Sequence, residues 1–115
     1  MGLDTYLYKK KIESDREKVI RKLNNEEREY EEVGYWRKFY LLNDWFLSEL
    51  GVDNCEEGEV SKELLEEFVN YLNELQEEGV EEDSGYRYKD TIEEINKIIK
   101  ETDWEKEQIF FYAWW

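Results

Sequence analysis

Side-chain patterns at the two ends of the chain predict two strands. In "GLDTYLYKK" (2–10), Leu and Thr alternate with Asp and Tyr, and the segment is rich in β-forming residues, which predicts a strand over 3–9. "EQIFFYAWW" (107–115) is a continuous apolar and aromatic run, which suits a strand covered on both faces. We expect both strands to belong to one sheet.

The first half of the chain between these strands has helical spacing. A thin apolar stripe over 14–32, with Ser14 as N-cap, predicts a polar helix that is either continuous or broken at the Asn pair 24–25. Over 34–50 the apolar residues recur at helical intervals and Gly51 follows as a stop, which predicts a central helix. The most aromatic stretch, "EVGYWRKFYLLNDWF", falls largely in that helix.

Two further helices are predicted in the second half. One begins after Ser61, a good N-cap, and extends to about Glu78. The other begins at Asp90, which forms a capping box with Glu93. The predicted fold class is α+β: a small sheet formed by the N- and C-terminal strands, with 86–88 as a candidate third strand, covered by three or four helices.

Composition indicates one domain over residues 1–115 and restricts its partners. Aromatic residues make up 17% of the chain, so a core can form although 41% of the residues are charged. The 31 acidic and 16 basic residues give a net charge of −15, which opposes contact with nucleic-acid phosphates. A basic protein, or a small anionic ligand held in a local basic pocket, remains open as a partner.

The cellular setting is predicted from what the chain lacks. No apolar run approaches the roughly 20 residues of a membrane-spanning helix, and the start has no signal-peptide core, so no membrane partner is expected. Cys55 is the single cysteine, which excludes an internal disulfide and fits a reducing compartment. We expect the protein in the cytoplasm.

Missing residue types also narrow the chemistry. The absence of histidine removes the commonest general base, the Ser-His-Asp arrangement and the usual zinc sites. The glycines stand singly, so no phosphate-binding loop is present. "DNCEEGE" (53–59) places Gly58 as in a calcium loop, but Leu64 stands where the bidentate Glu belongs, so a turn before a helix is favoured. We predict a protein that is not an enzyme and uses no cofactor or metal.

Four segments carry a family resemblance: "MGLDTYLYKKK", "EVGYWRK" with the later "WF", "DNCEEGEVSKELLEEF" and the aromatic C-terminus. They resemble a family of small phage and prophage proteins with an N-terminal GLDxYLY and an internal GYWRK. The resemblance covers most of the chain except 13–31 and implies a phage accessory protein in the host-cell cytoplasm, with no activity to carry over. Where the family has Asn and then His three residues later, this chain has Tyr40 and Asn43.

Aromatic residues near arginines supply the candidate ligand-binding residues: Arg37, Trp36, Tyr6, Tyr8, Arg87 and Tyr88. Aromatic faces and arginine forks suit a planar anionic ligand such as a nucleotide. The two clusters share a surface only if the N-terminal strand lies beside 86–88. Core packing is favoured for Trp36 over ligand stacking, and an intramolecular ion pair is favoured for Arg37 over a ligand contact.

Three functional hypotheses follow. The first is a non-enzymatic accessory protein that binds a small anionic ligand, such as a nucleotide-derived host defence signal. The alternative is an acidic protein that imitates a phosphate backbone and inhibits a basic host defence or nucleic-acid-processing protein. A metal-assisted carboxylate enzyme is the least favoured, because no spacing marks a catalytic pair. A concave pocket with arginines favours a ligand, whereas flat carboxylate rows favour a protein.

Trp114 and Trp115 form an aromatic end of the chain. Two exposed tryptophans would be an unusual hydrophobic patch. We therefore expect them to be buried, either in the sheet or at a homodimer interface.

Overall fold

The computed structural model of the chain describes residues 2–25, 30–82 and 85–115. In chain order its elements are β1 (Asp4–Lys11), α1 (Asp15–Leu23), β2 (Tyr30–Arg37), α2 (Tyr40–Leu50), β3 (Gly58–Val60), α3 (Lys62–Glu77), α4 (Tyr88–Glu101) and β4 (Glu107–Trp114). The strands form one antiparallel sheet in the order β2-β1-β4-β3. The predicted α+β class is confirmed, with the N- and C-terminal strands side by side at the centre of the sheet.

One face of the sheet is apolar and packs against helices α2, α3 and α4. Leu7 of β1 and Phe111 of β4 are completely buried, and Phe111 stacks on Phe46 of α2 at 5.4 Å between ring centroids. Phe46 in turn contacts Phe68 of α3 at 5.1 Å. β4 is covered on this face alone, so the prediction that both of its faces are covered is wrong: Trp114, on the other face, is 48% exposed.

Helix α1 confirms the first half of the predicted 14–32 helix, and β2 overturns its last part. Ser14 is the N-cap, its hydroxyl accepting a hydrogen bond from the Glu17 N–H at 3.2 Å. The helix ends at Leu23, so the break at the Asn pair is confirmed, while 26–29 lie outside the described residues. None of the side chains of α1 is buried.

The central helix is shorter than predicted because Tyr30–Arg37 is a strand. The register passes from Leu7–Gly34 to Tyr8–Glu32, so Val33 is an extra residue that forms a β-bulge. Outward-facing side chains therefore fall at 32 and 35 instead of at alternate positions. A spacing of three residues also occurs along one face of a helix, which is why the sequence pattern predicted a helix here.

Trp36 and Gly34 fit together on the inner face of β2. They are two residues apart and therefore point the same way, and a Cβ on Gly34 would lie 2.5 Å from the Trp36 ring. Trp36 is 1% exposed, and its indole N–H donates a hydrogen bond to the Glu94 carboxylate at 3.1 Å. Partial burial of that carboxylate raises its pKa. The GYW of the sequence is thus a packing motif, in which glycine leaves room for the indole.

The helices of the second half begin where local hydrogen bonds place them. Ser61 is confirmed as the N-cap of α3, with its hydroxyl accepting from the Leu64 N–H at 3.1 Å. α4 begins at Tyr88, two residues before the predicted Asp90, because the Glu82 carboxylate accepts from the Tyr88 N–H at 2.6 Å. The predicted capping box and the third strand at 86–88 are therefore both wrong.

The "DNCEEGE" segment is a turn that leads into β3 before α3 begins, so a short strand separates the predicted turn from the helix. Asp53 uses its carboxylate to accept from the Asn54 N–H at 2.7 Å. Within the described ranges, no group of three or more His, Cys, Asp or Glu side chains could hold a metal ion. A search of the same ranges finds no helix with the length and hydropathy needed to cross a membrane.

Candidate functional site

The sheet face opposite the helices carries a row of aromatic side chains that we call the open sheet face. Strand register and alternation place seven of them there: Tyr6, Tyr8, Tyr30, Tyr35, Phe110, Tyr112 and Trp114. Three of these side chains are about half exposed or more, Tyr30 at 61%, Tyr35 at 47% and Trp114 at 48%. The others are partly buried against one another. The result is a continuous aromatic surface on the outside of the molecule.

Tyr6 stands at the centre of this surface because β1 is a central strand. Its ring lies 5.6 Å from that of Tyr8, 5.0 Å from that of Tyr35 and 6.5 Å from that of Tyr112, measured between centroids. Tyr8 also meets Tyr30 edge-on at 5.1 Å. Such pairs contribute roughly 0.5–1.5 kcal/mol each beyond the area they bury. The rings are therefore held in fixed orientations before any partner arrives.

Acidic side chains slightly outnumber basic ones at the described strand positions of the open sheet face. The register places Asp4, Glu32 and Glu59 among the rings, together with Arg37 and Lys10. Because Lys10 contacts the Glu57 carboxylate, much of its charge is compensated locally. Its ammonium also lies 4.5 Å from the centroid of Phe110, an example of a cation resting on a ring of this face.

A shallow cavity of about 440 Å³ opens at one end of the open sheet face. Its lining is Tyr8, Lys10, Tyr30, Cys55, Glu57 and Tyr112. A hydrogen bond with Cys55 and burial raise the pKa of Tyr112. Three tyrosine rings form much of the cavity wall, and the charge of Lys10 is compensated by Glu57, so the described lining residues offer aromatic contact area without a net positive charge.

Asp4 anchors the outer ring of the face. The Tyr35 hydroxyl donates to the Asp4 carboxylate at 2.6 Å, and this bond, with a smaller contribution from burial, raises the pKa of Tyr35 to about 12. The bond exists only while the phenol keeps its proton. Its contribution to stability is therefore complete below the ordinary tyrosine pKa of about 10 and is lost as the pH rises through about 12.

We predict that Asp4→Asn lowers the pKa of Tyr35 toward the ordinary tyrosine value of about 10, because the charged acceptor is removed. The measurement is the ultraviolet absorbance change of tyrosine ionisation, with Tyr35→Phe subtracted to isolate this residue. The same subtraction made with the Tyr71→Phe variant is the control. An unchanged Tyr35 titration in the Asp4 variant would contradict the role given to this hydrogen bond.

The structure brings together half of the predicted site residues. Tyr6, Tyr8 and Arg37 share the open sheet face. Trp36 and Tyr88 are 1% and 4% exposed and belong to the core on the other side of the sheet. Core packing, the favoured interpretation of Trp36, is therefore what the structure shows.

Within the part of the chain that the structure describes, neither arginine makes the contact expected of it. β1 lies between β2 and β4, so the N-terminal strand does not lie beside 86–88, and the condition for a surface shared by the two aromatic clusters is not met. Arg87 is the exposed N-cap residue of α4. Arg37 makes no ion pair within 4 Å with any residue that the structure describes, and the favoured intramolecular pair stays a prediction. Instead the Tyr86 hydroxyl bridges its backbone, accepting from the Arg37 N–H at 2.9 Å and donating to the Arg37 carbonyl at 2.8 Å.

Trp114 and Trp115 are 48% and 40% exposed, so the expectation of burial within the sheet is wrong. A homodimer interface stays a prediction. Phe110, Tyr112 and Trp114 belong to the open sheet face but were not among the predicted site residues. Their period-two spacing in "FFYAWW" was the available signal, because alternate residues of a strand share a face.

The geometry defines an α+β protein with one helix-covered sheet face and one open aromatic face rimmed by carboxylates. Comparison of the chain with protein-family models, with curated proteins and with solved structures gives no match. The resemblance to phage proteins therefore stays a prediction.

Proposed function

We propose that this is a non-enzymatic binding protein whose open sheet face engages a basic protein surface. The single observation that carries the proposal is the continuous aromatic face, which the helices leave uncovered and carboxylates surround. Exposed apolar patches of this kind are typical of interaction surfaces, and tyrosine and tryptophan dominate the binding energy of many interfaces. Stacked rings lose little conformational freedom on binding, which favours affinity.

The sign of the charge selects the class of partner. The chain carries a net charge of −15, and Asp4, Glu32 and Glu59 lie among the exposed rings. Nucleic acid and a second copy of this chain are both disfavoured, because each would bring more negative charge to the face. A surface rich in arginine and lysine can pair with the carboxylates and lay its cations on the rings, as Lys10 does on Phe110.

Basic surfaces of this kind are found on proteins that bind nucleic-acid phosphates. The proposed partner is therefore a nucleic-acid-processing protein. In the setting that the phage resemblance implies, it is a host defence or nucleic-acid-processing protein whose basic groove this protein occupies. The aromatic face would supply the contact area, and the carboxylates would supply steering and specificity. Inhibition of that partner follows from competition with its nucleic acid.

A small anionic ligand, the other hypothesis, receives less support from this geometry. Among the residues that the structure describes, Lys10 is the cation that lines the cavity on the open sheet face, and the adjacent Glu57 compensates it. Arg37 lies on the same face beside Asp4 in the strand register. An anion placed among these rings would meet at least as much negative as positive charge.

The test is a selection of short random peptides on the immobilised protein, read by sequencing. The proposal predicts that the enriched peptides carry net positive charge with arginine next to apolar residues, and that their binding weakens as salt is raised. Selection on a Tyr6→Thr, Tyr112→Thr double variant, which keeps β-forming residues in both strands, should lose these peptides. Enrichment of neutral or acidic peptides, or equal enrichment on the variant, overturns the proposal.

A second copy as the occupant is tested separately by sedimentation equilibrium. The proposal replaces the predicted homodimer interface at Trp114, which lies on this face, and predicts that the protein without its partner does not self-associate through it. A dimer that the same double variant converts to a monomer would show that the face pairs with itself, and would contradict a basic partner.

A further inference from the structure

A groove outside the open sheet face lies beside the first turns of α2. It encloses about 410 Å³ and is lined by Leu3, Tyr40, Asn43, Asp44, Leu47 and Trp115. Small-molecule sites commonly have volumes of roughly 300–1,000 Å³, mostly apolar walls and a few polar groups. This lining has that composition, and none of its residues is one of the seven rings of the open sheet face.

Asn43 is the unusual member of this lining. It is 4% exposed, and its side-chain oxygen accepts a hydrogen bond from the Thr5 hydroxyl at 3.3 Å. Its amide nitrogen has no hydrogen-bond partner in the part of the chain that the structure describes. Buried polar groups are normally hydrogen-bonded, and each exception needs an explanation. A leucine at this position could pack without that cost, so the amide points to a bound group.

The other lining residues indicate the chemistry of that bound group. Trp115 is held beside the groove because its backbone N–H donates to the Asn54 side-chain oxygen at 3.0 Å. Trp115 and Tyr40 supply aromatic surface, and the exposed Asp44 supplies a carboxylate acceptor. No lysine or arginine is among the lining residues in the described ranges, so the side chains seen there offer no positive charge to an anion.

We propose that the groove binds an uncharged planar heterocycle with a ring carbonyl next to a ring N–H, the pattern of unphosphorylated nucleobases. The ring carbonyl accepts a hydrogen bond from the Asn43 amide, and the ring N–H donates to the Asp44 carboxylate. The aromatic side chains Trp115 and Tyr40 contact the ring faces. This site is independent of the protein-binding face proposed above.

The carbonyl and N–H pair also suits the chemistry of the Thr5–Asn43 contact. The Thr5 hydroxyl can either donate or accept, so the Asn43 amide can present its nitrogen or, after a half-turn, its oxygen to the groove. In the orientation that the structure shows, the Asn43 oxygen is bonded to Thr5 and the amide nitrogen is left for the groove. Only this orientation complements a ring carbonyl while the neighbouring ring N–H donates to the Asp44 carboxylate.

Calorimetric titration of the full chain with uracil, uridine and inosine tests the site. We expect all three to bind, with 1,3-dimethyluracil, which has no N–H, about tenfold weaker than uracil, as expected for one lost hydrogen bond. Uridine monophosphate should bind more weakly than uridine because of Asp44. Absence of heat from every uncharged probe at its solubility limit, or tighter binding of the monophosphate, overturns the proposal.

Variants distinguish the loss of a hydrogen bond to the Asn43 amide from a general effect on packing. In the Thr5→Val, Asn43→Leu double variant both hydrogen-bonding partners become apolar, so the fold should persist in circular dichroism while uracil binding falls at least about tenfold. If that variant does not fold, Asp44→Ala provides the test, because Asp44 is exposed and its replacement should not disturb the fold. In this variant the preference for uracil over dimethyluracil should disappear. Glu49→Gln, on α2 outside the groove, should bind as the parent does. Retained affinity in the folded double variant, or a retained preference in Asp44→Ala, overturns the assignment.

Discussion

Replacing Trp36 with alanine is expected to lower the free energy of unfolding by about 3–5 kcal/mol, the usual cost of removing a large aromatic side chain from a core. Trp36 is 1% exposed, fills the space above Gly34, and bonds the Glu94 carboxylate. The substitution leaves a cavity beneath β2 and removes the partner of a partly buried carboxylate. Chemical denaturation followed by circular dichroism gives the value.

The neighbouring position provides the control. Arg37 follows Trp36 directly, is exposed, and forms its hydrogen bonds to Tyr86 through its backbone, which alanine retains. Arg37→Ala should therefore change stability by no more than about 0.5 kcal/mol. A large loss at Arg37, or a small one at Trp36, would contradict the assignment of one residue to the core and the other to the surface.

The second large effect concerns binding. The Tyr6→Thr, Tyr112→Thr variant is expected to weaken the binding of a selected basic peptide by at least about 2 kcal/mol, or roughly 30-fold, as for central aromatic residues of interfaces. The two rings lie at the centre of the open sheet face, 6.5 Å apart. Isothermal titration calorimetry measures the change.

The matched control for that effect is Tyr40→Ala. Tyr40 is 48% exposed, like the outer tyrosines of the open sheet face, but it lies on α2 on the other side of the sheet. Its removal should leave peptide affinity unchanged. Equal losses in both variants would indicate that the peptide binds tyrosine-rich surface without regard to the sheet face.

The sequence predicted the elements in which one residue pattern continues without interruption. Alternation over 3–9 and the run from 107 to the end gave β1 and β4, and Ser61 with the stripe after it gave α3. β2 could not be found in the same way, because the bulge at Val33 changes the spacing of its outward side chains from two to three. β3 is three residues long, too short to show a period.

The candidate site was predicted in part for the same reason. Tyr6 and Tyr8 were recognised as a surface pair because they lie on a strand with clear alternation. Arg37 was predicted from its aromatic neighbours, and it lies on the open sheet face although its assignment to a helix was wrong. Trp36, its neighbour, belongs to the core. Sheet order places Tyr35 and Tyr112 on either side of Tyr6, and sheet order depends on contacts between distant segments.

The central claim is that the open sheet face binds a basic partner, and fluorine NMR of the protein labelled with fluorotyrosine tests it most directly. Nine tyrosines report at once. On titration with a selected basic peptide, we expect the signals of Tyr6, Tyr8, Tyr30, Tyr35 and Tyr112 to move. The signals of Tyr40, Tyr71, Tyr86 and Tyr88 should stay in place. Shifts confined to this second group, or no shifts at all at saturating peptide, would contradict the claim.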